Sequence, residues 1–413
     1  MPAELTGDPV AQARVAPVAD RQTPMRVLTG NLDCPVEGPP VWVDNEHLLV
    51  PISERGRTKL AHASLTGDAR IVYPLGEQQV TLHEIALGNG TLAMSVNAPE
   101  GTDLFVLDAA DLVASGSEPA PRQRTRVNQT ILAERAPVQY MEIAFANSAG
   151  DSIAGFVVAP AGFDPDEGPL PLVLLPHGGP MGFDPPALQF YEHWFTGEAF
   201  LASMGYLVLM VNYRGSTSYG EDFCWSIRSD LGHREADDIL SGVQYLIEQG
   251  WADPARLFIT GCSYGGYLTA WVTGTTDWFQ AAVSELPAWD MYRSFGASDL
   301  HASHQWDHGL VWHNRESYAR SSPSSHVLNV TTPTLIMAGE HDWRCPAILS
   351  EAYYLTLKKI GVPTELVIYQ NEHHALTRPR RTVDRMARIC RWFANYGGLP
   401  FADTSAEGYP DQR

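Results

Sequence analysis

Residues 256–267 read Arg-Leu-Phe-Ile-Thr-Gly-Cys-Ser-Tyr-Gly-Gly-Tyr, and no other stretch limits the chain as much. Leu257-Phe258-Ile259-Thr260 is a short apolar and β-branched run bounded by Pro254 and Gly261, the mark of a buried strand. Gly261-Cys262-Ser263-Tyr264-Gly265 then fits a Gly-x-Ser-x-Gly turn, and Tyr267-Leu268-Thr269-Ala270-Trp271-Val272 continues as a helix. A turn this sharp pushes Ser263 into strained backbone space and leaves its hydroxyl free above a sheet. The flanking glycines let neighbouring backbone pass close. The competing reading is a serine in a glycine-rich packing turn, so context has to decide.

The context is an alternation of strands and helices. From near Pro137, Tyr140-Met141-Glu142-Ile143-Ala144-Phe145 and Ile153-Ala154-Gly155-Phe156-Val157-Val158 form a hairpin-like pair. The apolar runs Leu172-Val173-Leu174-Leu175, Tyr206-Leu207-Val208-Leu209-Met210-Val211, the strand before Gly261, Ala281-Ala282-Val283-Ser284, Thr334-Leu335-Ile336-Met337-Ala338 and Glu365-Leu366-Val367-Ile368-Tyr369 follow. Helical patterns lie between and after them, at residues 234–249, 346–360 and 383–396. Continuous apolar strands separated by helices predict a mostly parallel sheet covered on both faces. Chemistry then belongs in the loops at the carboxyl ends of the strands.

The first third reads differently. Residues 1–40 are rich in Pro, Ala, Asp and Gly and lack periodicity, so an irregular lead-in is expected. Residues 41–108 hold short strand candidates separated by Gly, Asp, Asn or Pro, with room for about two four-stranded propeller blades. Residues 114–121 read as a flexible linker. The expected organisation is a lead-in (1–40), a β-rich region with linker (41–136), an α/β domain (137–400) and a tail (401–413).

Composition narrows the function. A formal charge of −20 argues against nucleic acid or an anionic membrane as partner, since both demand basic patches. The five cysteines are scattered, with no Cys-x-x-Cys pair, and read as reduced thiols. The opening residues show no basic segment followed by an apolar core, so no signal peptide is expected, and no apolar run reaches the ~18 residues of a membrane span. A cytoplasmic protein is the expectation.

A serine hydroxyl needs a base to take its proton and a third group to orient that base. In an α/β-hydrolase the chain order is Ser, then Asp or Glu, then His. Two loops follow strong strands downstream of Ser263. Residues 339–344 offer Asp342 as the acid, with Glu340 as rival and a solvated loop carboxylate as the plain alternative for either. Residues 371–376 offer His374 as the base, with His373 as rival, and spacing alone cannot separate neighbouring histidines. Backbone N–H groups of Tyr264 and of the His177-Gly178-Gly179-Pro180 loop are placed to form an oxyanion hole. No Lys-Ser/Thr follows those glycines, so a phosphate cradle is disfavoured and no cofactor is expected.

Taken together the motifs resemble the prolyl oligopeptidase family of serine peptidases, most closely its acylaminoacyl-peptidase-like branch. The matching residues are His177-Gly178-Gly179-Pro180, Asn212-Tyr213-Arg214-Gly215-Ser216 with Tyr219-Gly220, Asp253-Pro254-x-Arg256, Gly261-x-Ser263-Tyr264-Gly265-Gly266-Tyr267, Gly339-Glu340-x-Asp342-x-Arg344-x-Pro346 and Glu372-x-His374-x-Leu376. The resemblance implies a Ser263–Asp342–His374 triad, with Gly179 and Tyr264 as oxyanion donors. It implies cleavage near the amino terminus of short peptides, free or N-acylated, through an acyl-enzyme. A carboxylesterase of small acyl esters is the alternative with the same triad, and a non-catalytic interaction protein is the reading from another class. Such enzymes usually carry about seven blades, whereas residues 41–107 resemble only the last two.

Other side chains have two readings each. Trp289, Tyr292 and Trp194 could line a substrate pocket or pack in the core. Arg214 and Arg344 could hold a substrate carboxylate or brace loops, and bracing is preferred. His301, His304 and His308 share a helical face beside Asp307 and His313, where a polar flap is favoured over a metal site. The ends of the β-rich region invite a homo-oligomer in which protomers cover each other's edges.

Overall fold

A computed structural model of the chain describes residues 12–15, 26–66, 69–74, 80–114, 120–134, 137–188, 190–191, 194–195 and 197–401. Its centre is one eight-stranded sheet. We label its strands β1 (Gln139–Ala146), β2 (Ser152–Ala159), β3 (Leu170–Leu174), β4 (Leu207–Asn212), β5 (Ala252–Cys262), β6 (Ala281–Glu285), β7 (Thr334–Gly339) and β8 (Thr364–Tyr369). The spatial order is 1-2-4-3-5-6-7-8. β1 and β2 form an antiparallel hairpin, β2 runs antiparallel to β4, and every other neighbour is parallel. This is the α/β-hydrolase fold.

The unbroken apolar character of the strands has a simple cause. In β4, Leu207, Leu209 and Val211 pack into one core cluster, while Val208 and Met210 pack into another on the opposite face. The helices His233–Glu248 and Tyr264–Thr275 cover the first face, and Glu198–Ser203 and Pro379–Asn395 cover the second. Alternate residues therefore point to different layers, and neither face can be polar.

The N-terminal region contains two four-stranded antiparallel meanders. One runs Val41–Trp42, His47–Glu54, Arg57–Ser64 and Ala69–Tyr73. The other runs Thr81–Gly88, Thr91–Ala98, Gly101–Asp108 and Arg122–Gln123. The last strand begins directly after the linker expected at 114–121. The described end of that stretch leads straight into Arg122–Gln123, which pairs back on Val106 and Phe105, and residues 115–119 lie outside the described ones. Two residues of strand are too short to announce themselves by alternation.

The lead-in also departs from expectation where it is described. Arg14–Val15 pairs with Arg26–Val27, Leu28 and Thr29 are buried, and Asn31 bonds both backbone groups of Ala69. The tail beyond residue 401 lies outside the described residues. The β-rich region is fastened to the hydrolase sheet by an ion pair, Arg57 Nη2 to Glu142 Oε2 at 2.6 Å, and by the Gly56 N–H donating to Ser218 Oγ at 2.9 Å.

Candidate active site

Ser263 sits between the end of β5 and the helix Tyr264–Thr275, with φ 60° and ψ −117°. A residue with a side chain rarely adopts such angles, and the surroundings must hold it there. They do so from two sides. The Ser263 N–H donates to the Glu285 carbonyl of β6 at 2.9 Å. A Cβ on Gly265 would lie 2.1 Å from the Pro176 carbonyl, so only glycine lets the elbow close on the loop after β3.

The base and acid come from the ends of β8 and β7. His374 Nε2 lies 2.9 Å from Ser263 Oγ, and His374 Nδ1 lies 2.8 Å from Asp342 Oδ2. The Asp342 carboxyl is fully buried, and its Oδ1 accepts from the backbone N–H groups of Arg344 and Cys345, each at 2.8 Å. Geometry also separates the rivals. His373 is exposed and its Nδ1 faces the His341 carbonyl at 3.1 Å. Glu340 is exposed and accepts from the Asn371 N–H.

Gly179, with φ 128°, and Tyr264 both line a cavity of about 340 Å³ that includes Ser263. The Tyr264 ring is anchored away from the cleft, its hydroxyl donating to Glu235 Oε1 at 2.5 Å. Glu235 is fully buried and also accepts from the Gly232 N–H at 3.1 Å. Burial pushes its carboxyl up to about 7, against the opposing pull of these hydrogen bonds. His177, which opens the glycine loop, stacks on Tyr213 at 4.2 Å with Nε2 2.9 Å from Ser216 Oγ. Burial holds its pKa down to about 4, so the ring is neutral. A second cavity of about 410 Å³ lies on another side of Ser263, lined by His177, Phe183, Asp184, His374 and Arg385.

Sequence reasoning missed Glu285 and Arg385. Glu285 closes β6 beneath the elbow, and its carboxylate is clasped by the buried guanidinium of Arg385 from the last helix, Nη2 to Oε1 at 2.9 Å. An acidic residue ending an otherwise apolar strand was the available signal.

Two candidates for the substrate pocket are corrected, and the third, Arg214, takes the bracing role preferred for it over substrate binding. Trp289 is buried, stacks on Tyr353 at 5.1 Å and packs with Ala270 and Ile336 behind the sheet. Tyr292 is exposed and lies under Arg315, outside the lining of both cavities. Arg214 is committed to Asp238 and Asp237, its Nη2 2.8 Å and 3.0 Å from their carboxylates, and so braces a loop. The Trp194 side chain lies outside the described residues. Arg344 is held by Asp299 at 2.7 Å. His304 and His308 turn inward to Ser294 and Ser317, and among the described residues no group of three metal-binding side chains is close enough to hold an ion. Among the described residues no helix is long and apolar enough to cross a membrane.

Comparison with known proteins agrees with this architecture. Residues 193–399, just over half of the chain, match the model of the prolyl oligopeptidase family. The chain is 31% identical over 366 residues to the uncharacterized peptidase YuxL of Bacillus subtilis, covering 86% of this chain and 53% of that protein. It is 34% identical over 236 residues to the acylamino-acid-releasing enzyme of Arabidopsis thaliana, covering 55% of this chain and 30% of that enzyme. The chain thus spans about half or less of the length of these relatives. In structure it is similar to the acylaminoacyl peptidase of Pyrococcus horikoshii, with a TM-score of 0.78 and 22% identity over 92% of this chain and 59% of that one. At that identity the likeness speaks for the fold, and the sequence match carries the kinship: the chain belongs to the prolyl oligopeptidase family.

Proposed function

We propose that the chain is a serine peptidase that releases amino-terminal residues, N-acylated or free, from short peptides. The observation that carries this reading is the unbroken relay from Ser263 Oγ to His374 Nε2 and from His374 Nδ1 to Asp342 Oδ2. His374 takes the hydroxyl proton as Ser263 Oγ bonds to the substrate carbonyl carbon. The buried Asp342 carboxylate holds the ring in the tautomer with Nδ1–H and stabilises the imidazolium that results. The N–H groups of Tyr264 and Gly179 face the oxygen on which negative charge develops. His374 then hands its proton to the leaving amine, and water reverses the sequence to free the acyl group. The names of the acylamino-acid-releasing relatives support the choice of substrate.

A fluorophosphonate should label Ser263, and Ser263→Ala should lose both labelling and peptide turnover. Adducts elsewhere, or unchanged activity in the alanine variant, would refute the assignment. Peptide amides and small esters run on one preparation test the esterase alternative, which turnover of esters alone would establish. The same proposal takes the protein as cytoplasmic, on its scattered unpaired thiols, and as a homo-oligomer, because Thr81–Gly88 is a sheet edge of eight residues. A monomer by light scattering at micromolar concentration would remove that part.

A further inference from the structure

The cavity of about 340 Å³ beside Ser263 combines two kinds of wall. Trp225, Ile227, Leu231 and Met291 make most of it apolar. Two charged side chains, Arg228 and Asp307, line the same space from different elements. Asp307 belongs to the helix His301–His308, and Arg228 to the segment after the helix Glu221–Trp225. The Arg228 guanidinium lies over the Trp306 ring at 4.3 Å, and its Nη2 donates to the Trp306 carbonyl at 3.4 Å.

The Asp307 backbone carbonyl accepts from Ser229 Oγ, but among the described residues no donor reaches its carboxyl and no cation pairs with it. Burial pushes this carboxyl up to about 6, with the charge of Arg228 acting in the opposite sense. The other polar groups are already engaged. His304 is neutral and bonded to Ser294 at 3.1 Å, and Arg344 is held by Asp299.

The Asp307 carboxyl is only partly covered in the empty cavity, and a guest that fills the space strips its remaining solvent, which is costly unless the guest supplies a donor. The guest's character follows by elimination. A cation meets the charge of Arg228, and an anion meets that of Asp307. An apolar tip satisfies neither. A neutral group that both donates and accepts satisfies both. A phenol does so on an aromatic body that suits the Trp225 and Ile227 walls, whereas a carboxamide lacks the body. The volume suffices for one aromatic side chain.

We infer that this cavity receives the side chain of the residue whose carbonyl Ser263 attacks, and that Asp307 with Arg228 makes tyrosine the preferred residue there. The inference rests on the hydrolase reading of Ser263. The phenol hydroxyl donates to the Asp307 carboxylate and accepts from an Arg228 N–H.

The test uses the full chain with matched ethyl esters of N-acetylated Tyr, Phe, Gln and Lys. The Tyr ester should exceed the Phe ester in kcat/KM by about tenfold or more, the worth of a hydrogen bond to a charged group. Asp307→Leu should bring that ratio to about one or below, and Arg228→Met should reduce it while raising the Lys ester relative to the Tyr ester. A wild-type Tyr to Phe ratio near one, or a Lys ester that outruns Tyr, overturns the inference without reference to any variant. Fluorophosphonate labelling run in parallel keeps the two readings apart. Labelling at Ser263 with a flat Tyr to Phe ratio removes the pocket assignment alone. Neither labelling nor turnover removes both.

Discussion

Asp342→Asn separates the acid from everything else at the site. The substitution exchanges one oxygen for nitrogen and leaves the shape intact. Asp342 Oδ1 already accepts two backbone N–H groups at 2.8 Å, so the amide must keep its oxygen there. Its NH₂ then faces His374 Nδ1 across 2.8 Å. Two donors cannot share that contact, so His374 must present a bare Nδ1 and carry its proton on Nε2. Nε2 lies 2.9 Å from Ser263 Oγ and in that form can only donate to it, which leaves the hydroxyl proton with no acceptor. The expected loss in kcat is about 10⁴-fold, roughly 5.5 kcal/mol of transition-state stabilisation. The loss in folding stability should stay at about 1–3 kcal/mol, since only the charge on two backbone hydrogen bonds is removed. Turnover of one reporter ester gives kcat, and a urea unfolding midpoint on the same protein gives stability. A fall of less than about tenfold in kcat, with the fold intact, would refute the orienting role argued from these distances.

Two further predictions concern buried charge. Arg385→Met strands the Glu285 carboxylate in the core with the Thr260 hydroxyl at 3.2 Å, and should cost about 3–5 kcal/mol in a urea titration. Replacing Glu285 by Leu in the same protein should recover most of that, and no recovery would mean the guanidinium matters for reasons other than the pair. Burial raises the Glu235 carboxyl from 4.5 to about 7, so between those pH values the unfolded chain releases a proton that the fold retains. Stability therefore falls as pH rises through that window, by roughly 3 kcal/mol from this group, and Glu235→Gln should remove the fall. Unfolding midpoints at about pH 5 and about pH 8 compare the two proteins, and parallel pH dependence would contradict the shift.

What could be read from the sequence tracks how local the signal is. The elbow was legible because strand, glycines and helix lie within one short stretch whose steric demands are local. The loops carrying Asp342 and His374 were legible because each follows a strong apolar strand. Choosing His374 over His373 rested on the family pattern and not on spacing, since adjacent residues share every local feature and differ only in which way the turn aims them. The aromatic guesses failed for the same reason. Trp289 and Tyr292 lie close in sequence, yet one is buried against Tyr353 and the other is exposed. The Arg385–Glu285 pair spans a separation of 100 residues, and no window of sequence holds both partners. Arg122–Gln123 escaped because a two-residue strand exists only by virtue of the neighbour it completes.

The turns after β7 and β8 are stitched together independently of any guest. The His341 N–H donates to the Glu372 carbonyl at 2.8 Å, the Glu340 N–H donates to the Tyr369 carbonyl at 3.0 Å, and a Cβ on Gly339 would lie 2.1 Å from the His373 carbonyl. Carboxylate and imidazole therefore travel as a single cassette. Neither warming nor a passing ligand can pull the two relay partners apart without first unzipping the rim of the sheet itself.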